Sequence, residues 1–320
     1  MRPSLLILAA GIGSRYGSLK QMDKFGPSGE TLIDYSIFDA LKAGFQKFTF
    51  VISKNMENEF SEIFLKRYQD RIEVHYVLQE IEEVPEGIQV ATHRTKPWGT
   101  AHAVLVAASK INEPFAVLNG DDFYGAESFK IIFTYLSSLD NAGKSYCLVG
   151  YRLSKTLSDH GYVSRAICEV DEEGYLKSIV ERTHVLKIQG KIAYQDEGGT
   201  MIPIEEDPIV STNLMGFAPS VFSHLEFYFE RFIQEHSQNT KAELFLPDIL
   251  NKIIQTNKAQ VKVLKTRENW FGVTYKEDKT AVTQKIQELV HQGIYPENLW
   301  EREEKKHQAS YRKRSSNDSV

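Results

Sequence analysis

Residues 4–21 read SLLILAAGIGSRYGSLKQ and decide the fold. The short apolar run 4–10 ends at a glycine-rich segment, which predicts a buried strand of a parallel sheet followed by a sharp turn. Arg15 and Lys20 place two cations in and just after that turn. Because backbone N–H groups and fixed cations are what a polyphosphate needs, the stretch predicts a loop that holds a nucleoside triphosphate.

Two other interpretations of this loop are open. A dinucleotide-binding turn has the spacing G-x-G-x-x-G, whereas the glycines here are spaced G-x-G-x-x-x-G. The predicted second strand, 48–53, also ends without the Asp or Glu that would bind a ribose hydroxyl, and a dinucleotide gives Arg15 and Lys20 no role. The glycines by themselves also fit a tight strand-to-helix turn that binds nothing.

Composition sets the class of protein. The chain has 320 residues, 42% of them hydrophobic, which is enough for one large or two small domains. A net charge of -5 gives no general affinity for nucleic acid. Cys147 and Cys168 lie in apolar segments, as free thiols of a reducing cytoplasm do. With no signal peptide and no apolar run of about 20 residues, we expect a cytoplasmic protein with no membrane partner. The sequence leaves open whether it forms a homo-oligomer.

Strand-like and helix-like segments alternate over the first half of the chain. Strands are predicted at 4–10, 48–53, 72–78, 115–119 and 145–150. This alternation predicts an α/β fold with a doubly wound, mostly parallel sheet and right-handed crossovers. Ligands on such sheets bind at the carboxyl ends of the strands, so the segments after the first, third and fourth strands should face one crevice.

The pattern changes after residue 150. A hairpin is predicted over 164–186, and further strands and helices follow it. They predict an extension of the same mixed sheet with a substrate-binding lobe. We therefore expect one domain, 1–300, made of an NTP-binding half, 1–150, and a second half, 151–300. A polar tail, 301–320, is expected to be flexible.

Asp121 and Asp122 follow the predicted strand 115–119. Carboxylates at the end of a buried strand have to be solvated, paired or bound to a metal. Mg²⁺ prefers one or two carboxylates together with phosphate oxygens and water. An aspartate that caps the helix beginning near Ala126 is the alternative. Beside a polyphosphate loop, the pair predicts a Mg²⁺ site, with Asp121 as the favoured ligand.

Gln79 and Gly99-Thr100 follow the third predicted strand. An amide side chain and a glycine-exposed backbone can read the edge of a base, although an isolated Gln79 is also an ordinary surface residue. We expect His102 to be a satisfied helix histidine rather than a substrate contact.

Glu181, Arg182 and Asn213 lie on strands of the second half. A carboxylate and an amide can hold hydroxyl groups, and an arginine can hold a phosphate with two parallel hydrogen bonds. A cross-strand ion pair on a solvated sheet face is an equal alternative.

Together these motifs resemble the sugar-1-phosphate nucleotidyltransferases. Residues 9–15, AAGIGSR, are similar to that family's L-A-A-G-x-G-[ST]-R signature, and Lys20-Gln21 is similar to its Pro-Lys segment. Residues 98–103, WGTAHA, resemble the G-T-A-x-A base-binding segment, and Asn119-Gly120-Asp121 resembles the Gly-Asp at a strand end. The family's sugar-site pair is Y-G-V…I-V-E-K-P. Similar residues in this chain are Gly161 and 178–182, SIVER, with Arg182 in place of the Lys.

The resemblance implies a GT-A/Rossmann-like fold and a reaction in which a sugar-1-phosphate attacks the α-phosphorus of an NTP and pyrophosphate leaves. Arg15 would hold the departing phosphates, and Lys20 would neutralise the α-phosphate. The remaining roles are nucleotide binding by Ala10, Gly11, Gly13 and Ser14, base binding by Gln79, Gly99 and Thr100, sugar-phosphate binding by Gly161, Glu181, Arg182 and Asn213, and Mg²⁺ binding by Asp121 and Asp122. UTP is the favoured NTP and dTTP the next, because the Gly-Thr-Ala-His-Ala form is most similar to uridylyltransferases.

One departure from the family pattern keeps other functions open. The family's second metal ligand often lies in a W-x-D-x-G-T segment, but residues 270–274 read WFGVT, with Gly272 where the aspartate would fall. Asp122 could take its place. A cytidylyltransferase acting on a non-sugar phosphate is one alternative, since the Lys20-Gln21 form occurs there too. A catalytically silent homologue that senses a nucleotide sugar is another.

Overall fold

The computed structural model describes residues 2–11, 23–68, 71–196 and 198–301. Thirteen strands are described: β1 Ser4–Leu8, β2 Lys47–Ile52, β3 Glu73–Leu78, β4 Phe115–Asn119, β5 Asp122–Phe123, β6 Ser145–Arg152, β7 Val163–Val170, β8 Leu176–Ile188, β9 Lys191–Gln195, β10 Met201–Ile204, β11 Ile209–Phe217, β12 Gln260–Lys265 and β13 Phe271–Gly272. The α-helices are α1 Leu32–Ala43, α2 Glu57–Phe60, α3 Lys66–Tyr68, α4 Thr100–Leu105, α5 Ala126–Leu136, α6 Val221–His236, α7 Leu246–Gln255 and α8 Asp278–His291, with a π-helical turn, Ser61–Leu65, between α2 and α3.

Parallel strands form the sheet of the first half. Their order is β4-β1-β2-β3, and Leu8 at the end of β1 is in register with Asn119 at the end of β4. The residues that follow these two strands therefore emerge at the same edge of the sheet. The predicted doubly wound, mostly parallel α/β fold is confirmed.

β11 joins the two halves of the sheet by running antiparallel to its neighbours. Its later residues pair with β4, where Met215 lies opposite Val117, and its earlier residues pair with β7, where Val210 lies opposite Ile167. Along its other edge β11 pairs with β6, and β12 lies beyond β6. The register breaks within β11, between Ser211 and Met215.

β7 to β10 extend the sheet as an antiparallel series. The sequence predicted the β7–β8 hairpin but not β9 and β10. Both of these strands are short and only partly buried. Their sequences, KIAYQ and MIPI, also lack the strict alternation of apolar and polar residues that indicates a half-buried strand.

Two apolar layers cover the two faces of the sheet. Side chains of β1 alternate between them: Leu5 and Ile7 pack with α1, α5 and α8, whereas Leu6 and Leu8 pack with α4, α6 and α7. Among the described helices, none combines the length and the apolar character needed to traverse a bilayer.

Asp39 is a buried acid on α1, 2% exposed. The Tyr295 hydroxyl donates a hydrogen bond to Asp39 Oδ2 at 2.6 Å, while Oδ1 has no hydrogen-bond partner among the described residues. Burial raises the pKa of Asp39 to about 7, against the weaker opposing effects of Tyr295 and Lys42. The folded protein therefore binds the carboxyl proton of Asp39 more tightly than the unfolded chain does.

We expect Asp39→Asn to stabilise the protein at pH 8 but not at pH 4. Between the ordinary value of 3.8 and the folded-state value of about 7 the folded state holds the extra proton, so the Asp39 contribution to stability is lost as pH rises through this range. Asparagine removes that loss, which amounts to roughly 2–4 kcal/mol above pH 7. Denaturant unfolding at both pH values measures it, with the exposed Asp140→Asn as control. Equal effects of Asp39→Asn at both pH values would contradict this account.

Candidate active site

A cleft of about 700 Å³ opens at the carboxyl ends of β1, β3 and β4. The cleft brings together six of the predicted site residues: Ala10, Gly11, Gln79, Gly99, Thr100 and Asp121. Asn119, the last residue of β4, also lines it. Gly13, Ser14, Arg15 and Lys20 lie outside the described residues.

A second wall of the cleft was not predicted from the sequence. It consists of residues from two segments, His93–Pro97 before α4 and Thr240–Glu243 before α7. Lys96 and Glu243 form an ion pair that links the two segments. The backbone N–H of Ala91 also donates to the carbonyl of Ser237 at 3.1 Å.

The orientation of the Gln79 amide is fixed from inside the protein. Gln79 is 9% exposed, and its Nε2 donates to the Gly99 carbonyl at 3.0 Å. The same nitrogen lies 3.4 Å from His102 Nδ1. Because both amide hydrogens are directed at these two acceptors, the amide oxygen, Oε1, is the atom left to meet a ligand in the cleft.

His102 holds this arrangement as a neutral histidine. Its ring is 1% exposed, stacks on Phe229 with 4.6 Å between the ring centroids, and places Nε2 3.0 Å from the Glu83 carbonyl. A carbonyl only accepts, so Nε2 carries the hydrogen and Nδ1 accepts from Gln79. Burial lowers the pKa of His102 to about 4, which keeps the ring neutral at physiological pH. The expectation of a satisfied helix histidine agrees with this geometry.

Gly99 and Thr100 pack against the backbone that precedes α7. Gly99 has a φ of 98°, and a Cβ at this position would lie 2.5 Å from the Leu244 carbonyl oxygen. The Leu244 N–H donates to the Trp98 carbonyl at 2.8 Å, and the Leu246 N–H donates to Thr100 Oγ1 at 2.9 Å. The hydroxyl of Thr100 thus supports the start of α7 while the residue lines the cleft.

The two aspartates have different surroundings. Asp121 lines the cleft, whereas Asp122 is 7% exposed and its Oδ2 accepts from Asn119 Nδ2 at 3.0 Å. The Tyr124 hydroxyl lies 3.2 Å from the same oxygen. Asn119 Oδ1 is 3.5 Å from Asn213 Nδ2, so this polar network reaches from the metal candidates to a predicted sugar residue.

Gly272 lies directly opposite Asp122 in the β5–β13 pair. A Cβ at position 272 would meet Asp122 Oδ1 at 2.3 Å. The Asp122 carboxylate therefore occupies the space into which a side chain at 272 would project. The described residues contain no cluster of three or more His, Cys, Asp or Glu arranged for a metal. A pair of carboxylates still suits Mg²⁺, which keeps waters and takes phosphate oxygens.

The predicted sugar residues lie on β7, β8 and β11 or beside them, and none of them lines the cleft described above. Burial raises the pKa of Glu181 to about 7, and the nearby Arg165 guanidinium opposes the rise. The Arg182 guanidinium lies 4.4 Å from the centroid of the Tyr194 ring. Asn213 has a φ of 68°, at the break in the β11 register.

Gly161 is held close to an aromatic side chain. A Cβ at this position would lie 2.6 Å from the Tyr275 hydroxyl oxygen, and that hydroxyl donates to the neighbouring Tyr162 carbonyl at 2.8 Å. The absence of a side chain is therefore needed for packing, whatever else Gly161 does.

Two arginines of the site region were missed in the sequence. Arg94 and Arg165 are 6% and 7% exposed, and each stacks on a tryptophan. An arginine before a tryptophan, as in Arg94 and Trp98, gave a weak local signal. Trp270 is far from Arg165 in the sequence, so that pair gave none.

With this geometry established, comparison with known proteins identifies the family. The sequence matches the family model described as nucleotidyl transferase over residues 4–289. The chain belongs to this family and is a nucleotidyltransferase, as its motifs predicted. No curated protein sequence matches it significantly.

Solved structures share the fold at low sequence identity. UDP-glucose pyrophosphorylase complexed with UDP-glucose has a TM-score of 0.56 and 16% identity, and the match covers 90% of this chain and 99% of that one. HddC from Yersinia pseudotuberculosis has a TM-score of 0.53 and 16% identity over 88% and 99% of the chains. A candidate glucose-1-phosphate thymidylyltransferase from Bacillus anthracis, in complex with a sucrose, has a TM-score of 0.57 and 13% identity over 88% and 94%.

We expect Gly99→Ala to damage the cleft more than Gly87→Ala does. Both glycines have a positive φ, 98° and 85°, so both alanines carry a similar backbone strain. Only the Cβ at 99 meets backbone atoms, whereas nothing lies within 4 Å of a Cβ at 87. We expect Gly99→Ala to lose about 1–3 kcal/mol more stability and to weaken nucleotide binding, measured by thermal unfolding and calorimetry. Equal losses in the two variants would contradict the close approach of Leu244.

Proposed function

We propose that the protein transfers a nucleotidyl group from UTP or dTTP to a sugar-1-phosphate and releases pyrophosphate. The observation that carries this proposal is the cleft itself, in which Gln79, Gly11 and Asp121 follow three strands of one parallel sheet. This order suits a base at Gln79, phosphates at Gly11 and a metal at Asp121. The names of the structural neighbours, UDP-glucose pyrophosphorylase and glucose-1-phosphate thymidylyltransferase, support the same reaction.

We assign the NTP to the half 1–150 and the sugar phosphate to the half 151–300. A phosphate oxygen of the sugar-1-phosphate attacks the α-phosphorus, and the bond to the pyrophosphate oxygen breaks. The attacking oxygen is already an anion, so the protein's task is to position the groups and neutralise charge. Arg15 would hold the departing phosphates, and Lys20 would neutralise the α-phosphate.

Asp121 and Asp122 would hold Mg²⁺, which when bound supplies positive charge to the phosphate oxygens. The polar network from Asp122 through Asn119 to Asn213 would keep the metal carboxylate and the sugar side of the site in a fixed relation. Gly161, Glu181, Arg182 and Asn213 would hold the sugar phosphate.

The orientation of Gln79 favours a base that donates a hydrogen bond. Uracil and thymine both carry a hydrogen on N3, which can be donated to Gln79 Oε1. Cytosine has a lone pair at N3, which would face that oxygen unfavourably. This argument supports UTP and dTTP over CTP, and the similarity of residues 98–103 to uridylyltransferases places UTP first.

A pyrophosphate-release assay tests the reaction directly. The protein is mixed with Mg²⁺, each NTP and a panel of sugar-1-phosphates and polyol phosphates. Pyrophosphate from UTP or dTTP with a sugar-1-phosphate supports the proposal. Release only from CTP with a non-sugar phosphate indicates a cytidylyltransferase. NTP binding without release from any pair indicates a silent sensor.

Asp121→Asn should lower kcat at least about 100-fold at saturating substrates, because the metal site loses a full negative charge. Steady-state rates over a Mg²⁺ titration measure the effect. Asp140→Asn, at an exposed aspartate that does not line the cleft, serves as the control and should match the wild type. A near-wild-type rate for Asp121→Asn in Mg²⁺ would remove this residue from the site.

We further expect 3-methyl-UTP to be a poor substrate. The methyl group replaces the N3 hydrogen and leaves Gln79 Oε1 without a donor, so kcat/KM should fall at least about 100-fold relative to UTP. The matched control is 5-methyl-UTP, which keeps the N3 hydrogen and should be accepted. Equal kcat/KM values for 3-methyl-UTP and UTP would show that Gln79 does not read this edge of the base.

A further inference from the structure

We infer that two buried arginine–tryptophan pairs, Arg94–Trp98 and Arg165–Trp270, act as separate positioning devices, one for the nucleotide and one for the sugar phosphate. This inference rests on the proposed function for its assignment of the two substrates. Each arginine is almost fully buried, stacks on an indole and donates hydrogen bonds to backbone carbonyls of the segments around one subsite. Arg94 does so through its two terminal nitrogens, and its Nε has no hydrogen-bond partner among the described residues.

Arg94 connects the two segments of the unpredicted cleft wall. Its guanidinium donates to the carbonyls of Asn239 at 2.6 Å, Ala242 at 2.7 Å and Pro97 at 2.9 Å. The guanidinium carbon lies 3.3 Å from the Trp98 ring centroid. One side chain therefore holds together the two segments of this wall, 93–97 and 240–243, which are distant in the sequence.

The position of this wall is transmitted to the base-reading atoms. The Trp98 carbonyl accepts from the Leu244 N–H, and Gly99 packs against the Leu244 backbone. The Gly99 carbonyl in turn accepts from Gln79 Nε2, which leaves the Gln79 amide oxygen for a ligand in the cleft. Arg94 thus sets the geometry of the base site without touching the base.

Arg165 acts in the same way in the second half. Nε donates to the Thr156 carbonyl at 3.1 Å, a terminal nitrogen donates to the same carbonyl, and the other donates to the Ser164 carbonyl at 2.6 Å. The guanidinium carbon lies 4.2 Å from the Trp270 ring centroid. These contacts bracket residues 156–164, the segment that carries Gly161.

The charge on Arg165 is maintained by the acids around it. Burial lowers the pKa of Arg165 to about 10, and Asp122 and Glu181 are the largest opposing influences. The side chain remains a cation at physiological pH and feels the charges of both a metal candidate and a sugar candidate.

Arginine suits this role because its planar fork offers five N–H donors, whereas lysine offers a compact ammonium. Replacement by lysine keeps the charge but loses the rigid planar fork that reaches several carbonyls at fixed positions and stacks flat on the indole. The freed segment must then be ordered by the incoming substrate, which weakens binding of that substrate. Each pair should consequently affect the KM of one substrate and spare that of the other.

The test is a crossed comparison of Arg94→Lys and Arg165→Lys. We expect Arg94→Lys to raise KM for the NTP about tenfold and to leave KM for the sugar-1-phosphate within about twofold. Arg165→Lys should show the reverse. Arg152→Lys is the matched control, because Arg152 donates to a single carbonyl, that of Asp207, at an exposed site; it should change neither constant.

Hydrogen–deuterium exchange gives a readout that does not depend on turnover. Arg94→Lys should raise exchange in 91–97 and 237–244 alone, and Arg165→Lys in 156–164 alone.

If a lysine variant is not recovered folded, Trp98→Phe and Trp270→Phe reduce the stacking surface and should give the same crossed pattern. Equal changes in both KM values, or exchange raised throughout the chain in each variant, would overturn the inference. A wild-type protein that releases no pyrophosphate would refute the proposed reaction. Hydrogen–deuterium exchange raised only near the substituted arginine in each variant would still support two separate positioning pairs.

Discussion

The register between β1 and β4 is the constraint on which the site depends. Leu8 lies opposite Asn119, and the Gly120 N–H donates to the Leu8 carbonyl at 2.9 Å, just beyond the last paired residues. This ladder brings Gly11 and the acidic pair to one edge of the sheet. A slip of one residue would also exchange the two apolar layers, since Leu5 and Ile7 face one and Leu6 and Leu8 the other.

β11 links strands from the two halves of the chain within one sheet. The strand pairs with β4 in its later part and with β7 in its earlier part, so its central break stands where the two halves meet. Asn213 lies in that break, within reach of Asn119. Asn213, a candidate sugar residue, is thus linked to the end of β4 in two ways. The backbone of β11 pairs with β4, and the Asn213 side chain lies 3.5 Å from Asn119 Oδ1.

The sequence revealed those parts of the molecule that depend on local pattern. The apolar run of β1, the aspartates after β4 and the segment at Gly99 could all be located because strand periodicity and turn chemistry are local properties. The wall at 240–243 could not be located, since its place in the cleft depends on Arg94 and on the approach of Leu244 to Gly99. The missing carboxylate at Gly272 was visible, but its physical reason, the volume taken by Asp122, required the pairing of β5 with β13.

That pairing also limits how this hairpin can change over evolutionary time. A Cβ at 272 would lie 2.3 Å from Asp122 Oδ1, so the space for a side chain on β13 is already taken by the carboxylate on β5. A second acid can therefore be added to this hairpin only if the first one moves or is shortened. The change needs a paired adjustment of both strands and not one substitution alone.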